Sequence, residues 1–232
     1  MKLTLIPSKT KKNFFKIFRD DEFLGAVPKK LIPADFFLSS FQEHDITHNN
    51  PSPNNMERGE IKDNNPEITQ FCNTIKEWVI KKANELLLNY LAKMEHTVFD
   101  CRNYMKKCGI PKATIDMVIN DAIARKWLSD ERYADLYAEE SVFLKRSPLD
   151  VKFKLRQKKI DPIIVNRIIN KHFDNDTKRE IIIEHINKMM DIHTNLTPQK
   201  RFEKIATTLY RKGFQYSDYD DILRDFCSKD SI

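Results

Sequence analysis

Apolar and polar positions follow two different rhythms along this chain. Near the start they come as short aromatic and β-branched runs, Lys12-Asn13-Phe14-Phe15-Lys16-Ile17-Phe18 and Phe23-Leu24-Gly25-Ala26-Val27-Pro28, on either side of Arg19-Asp20-Asp21-Glu22. Two such runs about an acidic turn predict a β-hairpin. A lone hairpin is marginal in water, so it is expected to pack on a short helix or on the body. From Thr69 nearly to the end the apolar residues return at helical spacing. Between the two rhythms, His44 to Asn65 is rich in Asn, Pro, Ser and His, has few apolar residues and no period, and reads as a flexible linker. His44 and His48 have the spacing of one helix face, but Asn49-Asn50-Pro51-Ser52-Pro53 argues against a helix there and so against a metal pair.

The helical part repeats. Tyr104-Met105-Lys106-Lys107-Cys108-Gly109-Ile110, Lys154-Leu155-Arg156-Gln157-Lys158-Lys159-Ile160 and Thr208-Leu209-Tyr210-Arg211-Lys212-Gly213-Phe214 share one pattern, with anchors Gly109, Lys159 and Gly213 placed 50 and 54 residues apart. Nine residues past each anchor stands an apolar pair, Val118-Ile119, Ile168-Ile169 and Ile222-Leu223. That is a tandem repeat of about fifty residues. Start and stop signals allot three helices to each unit. Ser129 can cap a helix whose first turn holds Asp130 and Glu131; Ser147-Pro148-Leu149-Asp150 supplies a cap, a first-turn proline and an acid; Asp161-Pro162 opens a third helix. Gly109 and Gly213 stand where a left-handed residue ends the middle helix, and Pro111 begins the next. Lys159 breaks the glycine rule, so its turn must differ or accept strain. Val151 to Arg156 alternates like a strand, whereas capping and the repeat register favour a helix, with Val151 and Leu155 on one stripe and Phe153 away from it.

The fold class expected is therefore all-α, in three tandem three-helix repeats, with a small N-terminal β-hairpin extension. Residues 1–43 form the extension, 44–68 the linker, 69–128 the first repeat, 129–174 the second, basic repeat and 175–232 the third. Trp78 and Trp127 are expected to be core or inter-repeat packing.

Composition narrows the function. Only Gly25, Gly59, Gly109 and Gly213 are glycine in 232 residues, which leaves no closely spaced glycines for a Rossmann or Walker phosphate loop. Cys72, Cys101, Cys108 and Cys227 hold no CxxC pair and read as reduced, packing thiols. No apolar run approaches bilayer length and no signal-type segment opens the chain, so a cytoplasmic protein without a membrane partner is expected. The histidines His172, His185 and His193 lack metal-ligand spacing and no nucleophile elbow occurs, so neither catalysis nor a cofactor is expected.

The net charge of +6 is local. Lys145, Arg146, Lys152, Lys154, Arg156, Lys158 and Lys159 face one acid, Asp150, between positions 145 and 160, and the rest of the chain is neutral. A neutral body with one concentrated basic patch has the form of a phosphate-binding surface; a solvated helix face is the alternative. On a helix, Lys152, Arg156 and Lys159 run along one flank of the apolar stripe and Lys154 and Lys158 along the other.

Trp127-Leu128-Ser129-Asp130-Glu131-Arg132-Tyr133-Ala134 resembles the aromatic-Leu-Asp-Asp-Glu-Arg-Phe-Ala signature of the RecX family, regulators of the RecA recombinase. The resemblance continues through Leu155-Arg156-Gln157-Lys158-Lys159-Ile160 and Leu209-Tyr210-Arg211-Lys212-Gly213-Phe214, and covers roughly residues 75 to 227 in the family's order and spacing. The N-terminal hairpin is similar to an extension seen in some members. Three departures stand out. Met94-Glu95-His96-Thr97-Val98 replaces an Arg-Ser pair, with Thr97 left as the cap; Ser147 replaces a glycine before the second basic helix; and Arg211-Lys212 replaces a double arginine, keeping charge but losing a bidentate fork.

The resemblance implies a non-catalytic modulator, elongated and curved, that lies as a monomer in the groove of the RecA filament on single-stranded DNA. There it would hinder filament growth or promote disassembly, lowering ATPase, strand-exchange and coprotease activities. Lys145, Arg146, Lys152, Lys154, Arg156, Lys158, Lys159, Arg211 and Lys212 would track phosphates of single-stranded, or also double-stranded, DNA, and Phe214, Tyr216 and Phe153 would supply apolar or stacking contacts. The other role open to Phe214 is to close its helix end by a hydrophobic contact. Two rival functions remain: a sequence-specific DNA-binding regulator that reads a groove with a helix-turn-helix-like repeat, and a structural adaptor without nucleic-acid binding.

Overall fold

The computed structural model describes residues 2–9, 11–32, 59–62 and 66–229. The N-terminal hairpin is present as β2 (Phe14–Arg19) and β3 (Glu22–Pro28). Asp20 and Asp21 turn it with φ of 46° and 66°, and two positive central φ values suit the right-handed twist of the flanking strands. The hairpin is half of a four-stranded antiparallel sheet of order β3-β2-β1-β4, with β1 at Lys2–Pro7 and β4 at Gly59–Lys62. Strand β4 lies inside the stretch that the sequence assigns to the linker. It has four residues and no apolar alternation of its own, and its backbone partner comes from the far N-terminus. A helix also begins inside that stretch, at Pro66, and the remainder, with His44 and His48, lies outside the described residues.

Nine α-helices follow among the described residues: α1 (Pro66–Leu91), α2 (Val98–Lys107), α3 (Lys112–Ala124), α4 (Asp130–Phe143), α5 (Pro148–Gln157), α6 (Pro162–His172), α7 (Asn175–Ile192), α8 (Pro198–Arg211) and α9 (Tyr216–Lys229). They form three-helix repeats. The caps fall where the sequence places them. The hydroxyl of Thr97 accepts from the Asp100 N–H, that of Ser129 from Arg132 and that of Ser147 from Asp150, and the Asp161 carboxylate accepts from Ile163. The stretch that alternates like a strand is helix α5, because its cap and first-turn proline outweigh a short alternation.

The middle helices α2, α5 and α8 end in one geometry. Gly109, Lys159 and Gly213 have φ of 80°, 60° and 89°. Each donates its N–H three residues back, and the following Ile110, Ile160 or Phe214 donates five residues back, to Met105, Leu155 or Leu209. This is the double bond pattern of a left-handed helix stop. Lys159 thus adopts the glycine conformation and bears its strain. Lys126 and Lys145 do the same at the ends of α3 and α4.

The chain divides into two compact units, residues 1–128 and 129–232. In the first, α1 serves two cores. Phe71, Cys72, Ile75 and Val79 pack under the sheet with Leu3, Leu5, Ile17 and Val27, while Ala83 and Leu87 pack with Met105 and Ile119 from α2 and α3. Ile75, Val79, Ala83 and Leu87 recur every fourth residue. Such a stripe drifts by about 40° per step around a 3.6-residue helix, which lets one helix face the sheet first and the helices later. In the second unit, α4 to α9 close over one core that runs from Ala134 through Val151, Val165 and Ile182 to Leu209 and Leu223. The second and third repeats are therefore not separately cored. Trp78 packs partly buried against the sheet core, whereas Trp127 is 43% exposed, with the Arg125 guanidinium 5.0 Å over its ring. Trp127 is thus not a core residue: it occupies the position just after the left-handed stop of α3, where the chain leaves the helix.

Candidate nucleic-acid interface

Helix α5 carries the charge. Val151 and Leu155 are fully buried, which turns the rest of the helix outward. Lys154 and Arg156 are exposed along it and Lys159 just after it, Lys152 is half-buried, and Leu149 and Phe153 stand more than half exposed beside Lys152 and Arg156. Lys154 and Lys158 border a small cavity of about 80 Å3 against Tyr133 and Tyr137 of α4, whose rings lie parallel at 6.1 Å. These two tyrosines are absent from the sequence expectations. Tyr133 belongs to the signature read as the family's mark, and its i, i+4 partner Tyr137 is the signal that points to the pair.

The turn after α8 meets the start of α5. The Ser147 hydroxyl donates to the Lys212 carbonyl at 2.6 Å while accepting from the Asp150 N–H at 3.2 Å. One buried side chain thus caps α5 and fastens it to the end of α8, where Arg211 and Lys212 are exposed. This brings the two basic stretches of the sequence together. Ser147 therefore has a structural role in this chain.

Three of the residues expected at the interface are placed otherwise. Phe214 is 2% exposed, packs edge-on to His185 with ring centroids 5.8 Å apart and belongs to the core. It closes the helix end and presents no ring to a base. The Lys145 ammonium pairs with Glu184 at 3.0 Å, and the Arg146 guanidinium donates to the Tyr137 hydroxyl at 2.8 Å and lies over that ring. Both cations are occupied in holding the turn after α4, Lys145 to α7 and Arg146 back to α4 itself. Tyr216 is half-exposed, with its hydroxyl engaged by Asp220 and Arg224. Four of the signature residues are architectural: Leu128 and Ala134 are buried, Ser129 caps α4 and Glu131 pairs with Arg167 of α6 at 2.7 Å.

Glu184 bridges Lys145 and Lys188, and its hydrogen bonds to Lys188 and Lys145 hold its carboxyl down at about 2. Next to it, His185 lies under the turn between α4 and α5. Its Nε2–H donates to the Lys145 carbonyl at 2.9 Å, and Lys212, Lys188, Glu184 and the Phe214 ring surround it. Burial, then Lys212 and Lys188, push its pKa below the ordinary 6.5, against the raising effects of the Lys145 carbonyl and Glu184. The unfolded chain therefore binds the proton first as pH falls. Stability is full above about pH 6.5 and declines below it. His185→Gln, which keeps a donor and cannot charge, should reduce the fall in urea midpoint between pH 7.5 and pH 5.5; an undiminished fall would assign the effect to other groups.

Lys159→Gly should raise stability by about 1 kcal/mol by removing left-handed strain, as read from urea unfolding, while taking one cation from the face.

No protein-family model matches the chain. It is similar to proteins named regulatory protein RecX: 27% identical over 139 residues to that of Lactococcus lactis, covering 59% of this chain and 52% of the relative, and 29% identical over 146 residues to that of Streptococcus pneumoniae serotype 19F, covering 60% and 55%. The matched region thus spans about half the length of these two relatives. A third, from Clostridium acetobutylicum, is 23% identical over 154 residues, covering 64% and 71%. Two solved structures share the fold. RecX from Lactobacillus salivarius superposes with a TM-score of 0.60 at 23% identity, covering 63% of this chain and 96% of that one, and a second regulatory protein RecX with 0.61 at 19%, covering 96% and 99%.

Proposed function

We propose that this RecX-family chain is a non-catalytic regulator of the RecA recombinase that binds the filament on single-stranded DNA through the outer face of α5, and so hinders filament growth or promotes disassembly. The observation that carries this reading is the joining of two basic stretches. Lys152, Lys154, Arg156 and Lys159 stand on or just beyond a helix whose start is hydrogen-bonded to the turn bearing Arg211 and Lys212. Cations on both flanks of one outward-facing helix suit a phosphate backbone. Exposed Phe153 and Leu149 among them offer the apolar contact that a splayed strand or a protein groove takes. Phe214 has no part in this contact.

The test is a titration of the protein into a single-stranded-DNA-dependent ATPase assay of the RecA recombinase from the same source, with the DNA saturated by recombinase beforehand. Inhibition well below one protein per recombinase is expected, by action at filament ends or by disassembly. Inhibition only near stoichiometry would point to groove coating. No inhibition, together with salt-sensitive DNA binding, would overturn the filament reading in favour of a DNA-binding regulator, which a large specificity ratio between DNA sequences would identify.

A further inference from the structure

The first unit holds a basic, aromatic site of its own. A cleft of about 820 Å3 opens where β2 and β3 meet the middle of α1 and the end of α2. Its apolar surface includes Phe14, Trp78 and Ile110, and all three are partly exposed. Around them stand Lys11, Lys30, Lys81 and Lys107, every one exposed. Lys11 holds its ammonium 5.5 Å over the Phe14 ring. Among the described residues, one carboxylate lines the cleft, that of Glu85, and Lys82 engages it at 3.1 Å. Beside Gly109 a Cβ would meet nothing within 4 Å, so the wall at the end of α2 stands open.

A hydrophobic core does not need four lysines gathered at its mouth, and a solvated lysine face does not need a tryptophan and a phenylalanine in a recess. The combination suits a ligand that is planar and apolar at one end and anionic at the other. We propose that this cleft binds single-stranded nucleic acid, with a base against Trp78 or Phe14 and the flanking phosphates on Lys81, Lys107 and Lys30. Stacking on aromatic faces with a cationic rim is how unpaired strands are held without base preference. A duplex keeps its base faces stacked inside and cannot use the recess. The sheet and α1 thus form a nucleic-acid-binding module of their own, which gives the N-terminal extension a function separate from the α5 face.

The chain has two tryptophans, so Trp127→Phe leaves Trp78 as the sole fluorophore within the cleft. Titrating this variant with a short oligothymidylate should quench its emission saturably. Adding Lys81→Glu and Lys107→Glu should weaken that quench by at least about 25-fold at 0.1 M salt, since each lost phosphate contact removes about 0.7 from the logarithmic salt slope. Both lysines are exposed, and an unchanged circular dichroism spectrum checks the fold. Charge reversal on α5 should leave the quench in place, so failure of the α5 reading and failure of this one are separable. An oligonucleotide that binds without quenching Trp78, or a quench that survives the two substitutions, would overturn the proposal. Thymidine monophosphate that quenches as well as the oligonucleotide would overturn it in favour of a mononucleotide pocket.

Discussion

Reversing Lys152, Arg156 and Lys159 together to Glu should weaken single-strand binding by the second unit by at least about a hundredfold at 0.1 M salt and flatten the salt dependence by about two in logarithmic slope. The arithmetic is three contacts at about 0.7 each. None of the three has a carboxylate partner among the ion pairs of the described residues, and Arg156 and Lys159 are exposed. The contrast is Lys145→Ala. Its ammonium is held by Glu184 and its carbonyl by His185, so its loss should register in stability and hardly in the salt slope. Fluorescence anisotropy of a labelled strand, repeated across salt concentrations in the full chain with Lys81→Glu and Lys107→Glu as background, reads the slopes, and urea unfolding reads the stability. An unchanged slope after the triple reversal would remove α5 from the mechanism.

Gly213→Ala should cost about 3 kcal/mol, against about 1 kcal/mol for Gly109→Ala. Both glycines are left-handed, with φ of 89° and 80°, so both substitutions incur the strain of a side chain there. They differ in surroundings. A Cβ on Gly213 would stand 2.7 Å from the Ser147 hydroxyl and 3.5 Å from the Leu149 Cβ, whereas one on Gly109 would meet nothing within 4 Å. The added methyl must displace Ser147 and break its bond to the Lys212 carbonyl, which leaves buried polar groups unmet at a further cost of about 1–3 kcal/mol. Urea unfolding followed by circular dichroism measures the pair. Equal losses at the two positions would show that the joint between α5 and α8 contributes nothing and that Ser147 does not align Arg211 and Lys212 with α5.

Much of the helical architecture is legible in the amino-acid order, and particular residues show why. Ser147 followed by proline and, three positions on, aspartate marks a helix start because the cap acts on N–H groups two and three residues away. Gly109, Lys159 and Gly213 mark helix stops because the left-handed turn is completed within six residues. The three stops share one hydrogen-bond pattern, so the fifty-residue repeat is a repeat of geometry as well as of residue type. The site is less legible. Phe214 occupies the position that a surface aromatic and a core plug share in sequence, and only the presence of His185 and the common core beside it decides between them. Lys145 and Arg146 look like Lys154 and Arg156 until Glu184 and the Tyr137 hydroxyl are placed next to them.

What the sequence by itself determined is whatever is completed within a few residues or one periodicity: the hairpin turn, the helix caps and stops, the apolar stripes, and the concentration of all net charge between positions 145 and 160. What only the tertiary structure decided is which distant groups meet. Strand β1 gathers β4 from across the chain, α1 turns one stripe toward two cores, the second and third repeats merge their interiors, and Ser147 joins two basic stretches while Glu184 withdraws a cation from one of them. The physical reason is range. Backbone hydrogen bonds within a turn are satisfied locally, whereas burial and ion pairing depend on surfaces that exist only after the helices have packed.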